Sequence, residues 1–193
     1  MSIKTNEMPQ RGRRLGKDAW VLAAKKALKE NGIEAVKIDR LAKALGATRA
    51  AFYWHFTDRD ELLGDLLSYW KKTSSRAYEE AIDQTSHNGE AELDLINTMW
   101  VEERDYDPSF DGAVRDWARA STAVARAVRK MDQYRIDILH KIFQDLGYHN
   151  DEALVRARVA YFHQIGYLAL GLNETRQARR ALAPIYFKVL MGR

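Results

Sequence analysis

Cysteine is missing from all 193 residues, which excludes a disulfide scaffold, thiolate catalysis and a cysteine-built zinc site. No apolar run approaches the ~18 residues that a membrane-spanning helix needs. The N-terminus also lacks the apolar block of a secretory signal, so the expectation is a soluble cytoplasmic protein without a membrane partner. His140 and His163 are not paired with acids or with each other at ligand spacing, so neither a metal nor any other cofactor is expected. No nucleophile, base and orienting acid stand in a motif with known mechanics, which argues against an enzyme. Internal repeats and low-complexity tracts are missing too.

What is present is charge, unevenly placed. The net charge is only +4, but residues 1–60 hold 13 Lys and Arg against 7 Asp and Glu, while the remainder holds 18 against 20. A basic head on a near-neutral body suits phosphate binding, because clustered cations gain most from counterion release. Nucleic acid is the natural partner, and the helix-turn-helix below narrows it to double-stranded DNA. The bland reading of Lys25, Lys26 and Lys29 is that they solvate one helix face.

The run Gly46-Ala-Thr-Arg-Ala-Ala-Phe-Tyr-Trp-His-Phe56 says the most. Ahead of it Ile38, Leu41, Ala42 and Leu45 recur at helical spacing, and Gly46 stands where a helix needs a left-handed stop. Thr48 is placed to cap the next helix by accepting its unpaired amides. Helix, turn, helix follows. In that arrangement the first residues of the second helix face base edges in the major groove. Arg49 is thus positioned to read guanine, small Ala50 permits close approach, and Tyr53 falls one turn on, near a phosphate. Trp54 extends the same DNA-facing set.

A helix from Lys17 to about Asn31, with Trp20, Ala23, Ala24, Ala27 and Leu28 on one face and Gly32 at its end, completes a three-helix head. Residues 1–16 carry Pro9, Gly12, Gly16 and the cations Lys4, Arg11, Arg13 and Arg14 without apolar periodicity. They read as a basic arm, with Arg13 and Arg14 as the preferred DNA contacts. A tail whose charges serve only solubility is the alternative.

The segment Trp20 to Gly32, followed by Ile38-Asp-Arg-Leu-Ala42, Leu45-Gly46-Ala47-Thr48, Tyr53-Trp54-His55-Phe56 and Arg59-Asp-Glu-Leu-Leu63, resembles the TetR family of bacterial transcriptional regulators. The likeness covers about the first 65 residues; beyond them it is one of size and helicity. It implies a dimeric regulator, most often a repressor, that a small-molecule effector releases from a palindromic operator. It also makes His55 a phosphate neighbour. Two positions depart from the family pattern. Lys37 stands where Ser or Thr is usual, losing a helix cap worth roughly 1 kcal/mol while offering an ammonium to a phosphate. Arg59 stands where Lys is usual and keeps the charge.

The overall expectation is an all-α chain of about nine helices. It comprises an arm (1–16), a helix-turn-helix DNA-binding domain (17–60) and a helical effector-binding and dimerisation body (61–193). A long helix from Asp58 to about Gln84, capped by Asp58, joins head to body. Further helices are expected over about Glu90–Arg104, from Asp107-Pro108, over Ser121–Leu146, over 151–172 and over 174–190. The fourth of these carries Leu154, Tyr161, Ile165, Leu168 and Leu172 on one side, and Ala160, His163 and Tyr167 on another. The last two helices are expected to form a four-helix homodimer interface, with a kink or break near Ala183 imposed by Pro184.

Trp100, Trp117, His140, His163 and Tyr167 are the candidate effector contacts, a mixed apolar and polar-tipped set. Aromatics at helical spacing also simply fill cores. Two other functions stand beside the regulator: an all-helical small-molecule enzyme and a sequence-independent DNA-binding protein.

Overall fold

The computed structural model describes residues 15–84, 88–103, 105–172 and 174–192. Among them there are nine α-helices and no strand, as the helical periodicities predict. Arg13 and Arg14 lie outside the described residues.

The first helix, α1 (Lys17–Asn31), buries Trp20, Val21, Ala24 and Leu28 along one face. It ends where the Gly32 amide bonds back to Leu28 O at 2.9 Å with a φ of 73°, a conformation that costs glycine little. A 3-10 turn (Ile33–Ala35) leads into α2 (Ile38–Ala44). Next come the short α3 (Arg49–Tyr53) and the long α4 (Arg59–Asp83). Asp58 caps α4 by accepting from the Glu61 amide at 2.9 Å, and Leu62, Leu66 and Trp70 of α4 are wholly buried. The head's core does not close on itself. Trp20, Phe52 and Leu62 belong to one apolar cluster with Trp70, Phe110, Val114, Trp117 and Val128, so the head is packed onto the body through α4.

The body consists of α5 (Gly89–Glu102), α6 (Pro108–Ala118), α7 (Thr122–Asp145), α8 (Asn150–Leu170) and α9 (Arg176–Met191). Asn88, Asp107, Ser121 and Thr175 each cap the helix that follows them, meeting amide groups that have no partner inside the helix. A Cβ on Gly89 would meet Leu146 Cγ at 3.0 Å and Ile142 O at 3.2 Å. A side chain there would require Leu146 or the Ile142 carbonyl to give by a few tenths of an ångström, so glycine lets α5 start close to the end of α7.

An ion-pair network that the apolar periodicity did not reveal lies at the body's centre. Arg135 and Asp111 are buried and pair at 3.0 Å. Trp70 Nε1 donates to the same Asp111 oxygen at 3.1 Å, and Arg115 Nε to the other at 3.0 Å. Arg115 also forks onto both oxygens of Asp132, whose Oδ1 accepts from the Tyr161 hydroxyl at 2.6 Å. Burial pushes the Asp111 carboxyl up, but Arg135 and then Arg115 outweigh it and hold it below the ordinary carboxylate value. The network joins α4, α6, α7 and α8, and an uncompensated charge there is far more costly than the intact set.

Two expectations change. Of the kink or break expected near Ala183, the break does not occur, since α9 is continuous from Arg176 to Met191. The carbonyl that proline leaves unbonded is that of Arg180, an exposed residue, so water can take the missing donor's place. Lys25 and Lys29 do not merely solvate α1. Both ammonium groups reach Asp107 Oδ2 at the start of α6, at 2.8 and 3.0 Å. Periodicity along one helix cannot show a partner 78 residues away.

Candidate nucleic-acid interface

The geometry of α2, turn and α3 is set by three local features. Gly46 has a φ of 61°. The Ala47 amide returns to Ala42 O at 2.9 Å, closing α2. Thr48 Oγ1 accepts from the Ala51 amide at 3.2 Å and starts α3. A five-residue helix is marginal by itself, and here tertiary packing supplies what length does not. Phe52 is fully buried, edge-on to Trp20 at 5.3 Å and stacked on Phe56 at 5.1 Å.

With Phe52 and Phe56 turned inward, the opposite face of α3 is left to solvent. Thr48, Arg49 and Ala50 are exposed, Tyr53 is 49% exposed, and Trp54 is 86% exposed. His55 is half-buried. A tryptophan that open, beside an exposed arginine and tyrosine, is the kind of unburied aromatic that marks a binding face. Lys37, Arg40 and Lys43 of α2 are exposed as well. Lys37 stands at the N-cap of α2, where its ammonium has no lone pair with which to cap the helix.

Arg49 is not loose in this surface. Its Nη1 lies 3.2 Å from both oxygens of Asp39, and its Nη2 lies 3.3 Å from the Tyr53 hydroxyl. Sequence spacing placed Arg49 and Tyr53 on one face but did not single out Asp39. An acid ten residues ahead, on the facing side of the turn, was the available signal. Arg59 has a different position. Its Nε donates to Val36 O at 2.6 Å and its Nη2 to Ile33 O at 3.0 Å, so this guanidinium ties the start of α4 to the segment before α2. The nearby acids are also engaged: Glu61 accepts from the Thr57 amide at 2.7 Å and from Lys17 at 3.3 Å. These bonds, the Thr57 amide foremost, hold its carboxyl below its ordinary value.

The five candidate effector contacts do not converge. Trp117 is buried in the apolar cluster and lines a cleft between head and body. Trp100, His163 and Tyr167 meet around a much smaller cavity between α5, α8 and α9. There Trp100 Nε1 donates to the Tyr78 hydroxyl at 2.9 Å, His163 lies 4.4 Å from Tyr186 ring to ring, and Arg179 covers the Tyr167 ring at 4.5 Å. Burial, and then Arg179, lower the His163 pKa below its ordinary value. His140 lines neither space, and its Nε2 is buried without a hydrogen-bond partner among the described residues.

Residues 21–66 match the family described as bacterial regulatory proteins, tetR family. No curated protein matches the chain. Among solved structures, a TetR transcription regulator from Haloarcula marismortui ATCC 43049 is similar at 22% identity, with a TM-score of 0.68 over 88% of this chain and 95% of that one. The fatty acid degradation regulator FadR from Bacillus halodurans is similar at 15% identity, with a TM-score of 0.68 over 95% and 97% of the two chains. The ketosteroid transcriptional regulator KstR2 of Mycobacterium tuberculosis is similar at 15% identity, with a TM-score of 0.64 over 95% of each chain. At these identities the likeness is one of fold. The helix-turn-helix itself lies within the residues matched to the family.

Proposed function

We propose that this chain, which carries a TetR-family N-terminal domain on a TetR-type helical fold, is a dimeric transcriptional repressor. It reads a palindromic operator and is released by a small-molecule effector. One observation carries the DNA-reading part: Arg49, Ala50, Tyr53 and Trp54 form the outward face of α3 while Phe52 and Phe56 hold that helix from behind. Arg49 contacts guanine in the major groove, Ala50 lets the helix sit close, and Tyr53, His55 and Lys37 engage the phosphate backbone. Arg13 and Arg14 of the arm add phosphate or minor-groove contacts. Arg59 contributes by fixing the position of α2 relative to α4.

The dimer interface is the outer surface of α8 and α9. Val155, Val159 and Phe162 of α8, with Ile185, Tyr186 and Val189 of α9, are all more than 40% exposed. The opposite face of α8 packs Ala153, Ala157, Ala160 and Tyr161 into the body. A contiguous apolar surface spread over two helices is what a symmetric four-helix contact covers. Two heads are also required to give one short helix enough sequence to read.

Replacing Arg49 or Tyr53 by Ala tests the DNA-reading part. Each variant is expected to keep the helical fold and lose operator binding, Arg49→Ala by about 1 to 3 kcal/mol per half-site. Normal binding by both would contradict the assignment of α3.

A further inference from the structure

The junction between head and body forms an open cleft of about 830 Å³, within the ~300–1,000 Å³ usual for small-ligand sites. Leu28 and Ile33 of the head, Trp117 of α6, and Ile165 and Leu168 of α8 form apolar walls. Arg115 lines it with its charge already matched by Asp132 and Asp111. Lys29 also lines it, in a different electrostatic state: it shares a single Asp107 oxygen with Lys25. Two ammonium groups against one carboxylate leave an excess positive charge beside an apolar wall.

Among the described residues, the centre of the bundle is taken by the buried Asp111–Arg135 pair. A ligand entering between α4, α6 and α7 would have to part the buried Asp111–Arg135 pair, and stranding either charge costs several kcal/mol (about 3 to 5). The cleft needs no such rupture.

We infer that the head–body cleft is the effector site, and that its occupant is an amphipathic anion with an apolar chain or ring system and one carboxylate. The inference rests on the effector-released regulator proposed above. The carboxylate competes with Asp107 for Lys29 and loosens the clasp between α1 and α6, while the apolar part lodges between Ile33 and Trp117. Ile33 is mechanically connected to the DNA-reading helices. Its carbonyl accepts from Arg59, the first residue of α4, and Arg59 also holds Val36, which precedes α2 by two residues. Displacing the cleft's head-side wall therefore shifts α2 and α3 relative to α4.

The test uses the full chain, anilinonaphthalene sulfonate as a fluorescent probe, and decanoate and decanol as competitors alike except for charge. The expected result is saturable probe binding that decanoate displaces about tenfold better than decanol, the difference made by one charge-assisted contact. Lys29→Gln is expected to remove that preference. A Cβ on Gly112 of α6 meets no heavy atom within 4 Å, and this glycine lines the cleft. Gly112→Trp is thus expected to fill the space and weaken probe binding about tenfold or more, with the helical circular dichroism and melting temperature unchanged. Undiminished binding by a folded Gly112→Trp protein would overturn the site. So would binding that persists in that variant and is lost instead in Phe162→Asp, because the probe would then sit on the exposed face of α8. DNA retention by the unliganded protein is measured alongside. Selective DNA binding without cleft occupancy overturns the cleft assignment alone, whereas no selective binding by any preparation overturns the regulator reading beneath it.

Discussion

Arg49 Nη1 lies 3.2 Å from both carboxylate oxygens of Asp39, so the first residue of α3 is held by a residue of α2 across the turn. The pair is open to solvent, with side chains 59% and 72% exposed, and an exposed pair of this kind contributes little to stability. Its significance is geometric, since a guanidinium fixed from one side presents its remaining donors in a set direction. Asp39→Ala is expected to leave the melting temperature within about a degree or two. Affinity for unrelated DNA is expected to rise with the lost negative charge, while discrimination at the guanine that Arg49 is proposed to read falls. Binding measured on operators varied at that one base pair checks this; unchanged discrimination would show that Asp39 does not orient Arg49.

The exposed apolar surface of α8 and α9 gives a second prediction. Phe162→Glu places a charge on a face that includes Val155 and Val159, and burying it against a symmetry mate would be costly. Sedimentation is expected to show a dimer for the original chain and a monomer for the variant, with each monomer still folded. Affinity for the full palindrome is then expected to fall toward that for a half-site. A variant that stayed dimeric would place the interface elsewhere.

The buried network predicts asymmetric costs. Arg135→Met leaves Asp111 with Arg115 and Trp70 as its side-chain partners among the described residues and is expected to destabilise the fold by about 3 to 5 kcal/mol. The double substitution Arg135→Met with Asp111→Leu is expected to recover part of that loss, because neither buried charge of the pair remains. Urea unfolding of the two variants separates the outcomes, and additive losses would contradict the coupling.

The clasp at Asp107 has a pH signature. Burial raises this carboxyl's pKa, but hydrogen bonds from Lys25 and Lys29 outweigh it and hold the pKa well below the ordinary 3.8. A group depressed in the folded state gives its full stabilisation above the unfolded value and loses it as pH falls through the folded one. Asp107→Asn keeps a capping side chain and removes the charge. Because the pair is partly solvated, the expected cost at pH 7 is about 1 kcal/mol. Stability measured from pH 7 down to about pH 2 is expected to fall less steeply in the variant than in the original chain. Parallel acid limbs would mean that the clasp contributes no stability.

The local elements were legible in the sequence because their causes are local. Gly46 and Thr48 mark the turn by chemistry confined to a few residues, and the same holds for the Asp58 cap and for the Trp20, Ala24, Leu28 face. Contacts set by tertiary approach were not legible. Lys29 finds Asp107 only because α1 crosses the start of α6, and Arg59 finds two carbonyls more than twenty residues away. The buried network left one local trace, the four-residue spacing of Asp111 and Arg115, which also suits an exposed helical pair. Pro184 does not break α9, since a proline on an exposed helix face removes a hydrogen bond that water can replace.

Selection of retained sequences from a pool of random duplexes, at about physiological salt where counterion effects do not swamp specificity, tests the central claim most directly. The predicted result is one enriched inverted repeat whose half-sites are centred about one helical turn apart, ~34 Å, or somewhat more. Arg49→Ala is expected to blur one guanine in each half. Diffuse enrichment, or no retention by folded and ligand-free protein, would contradict the account.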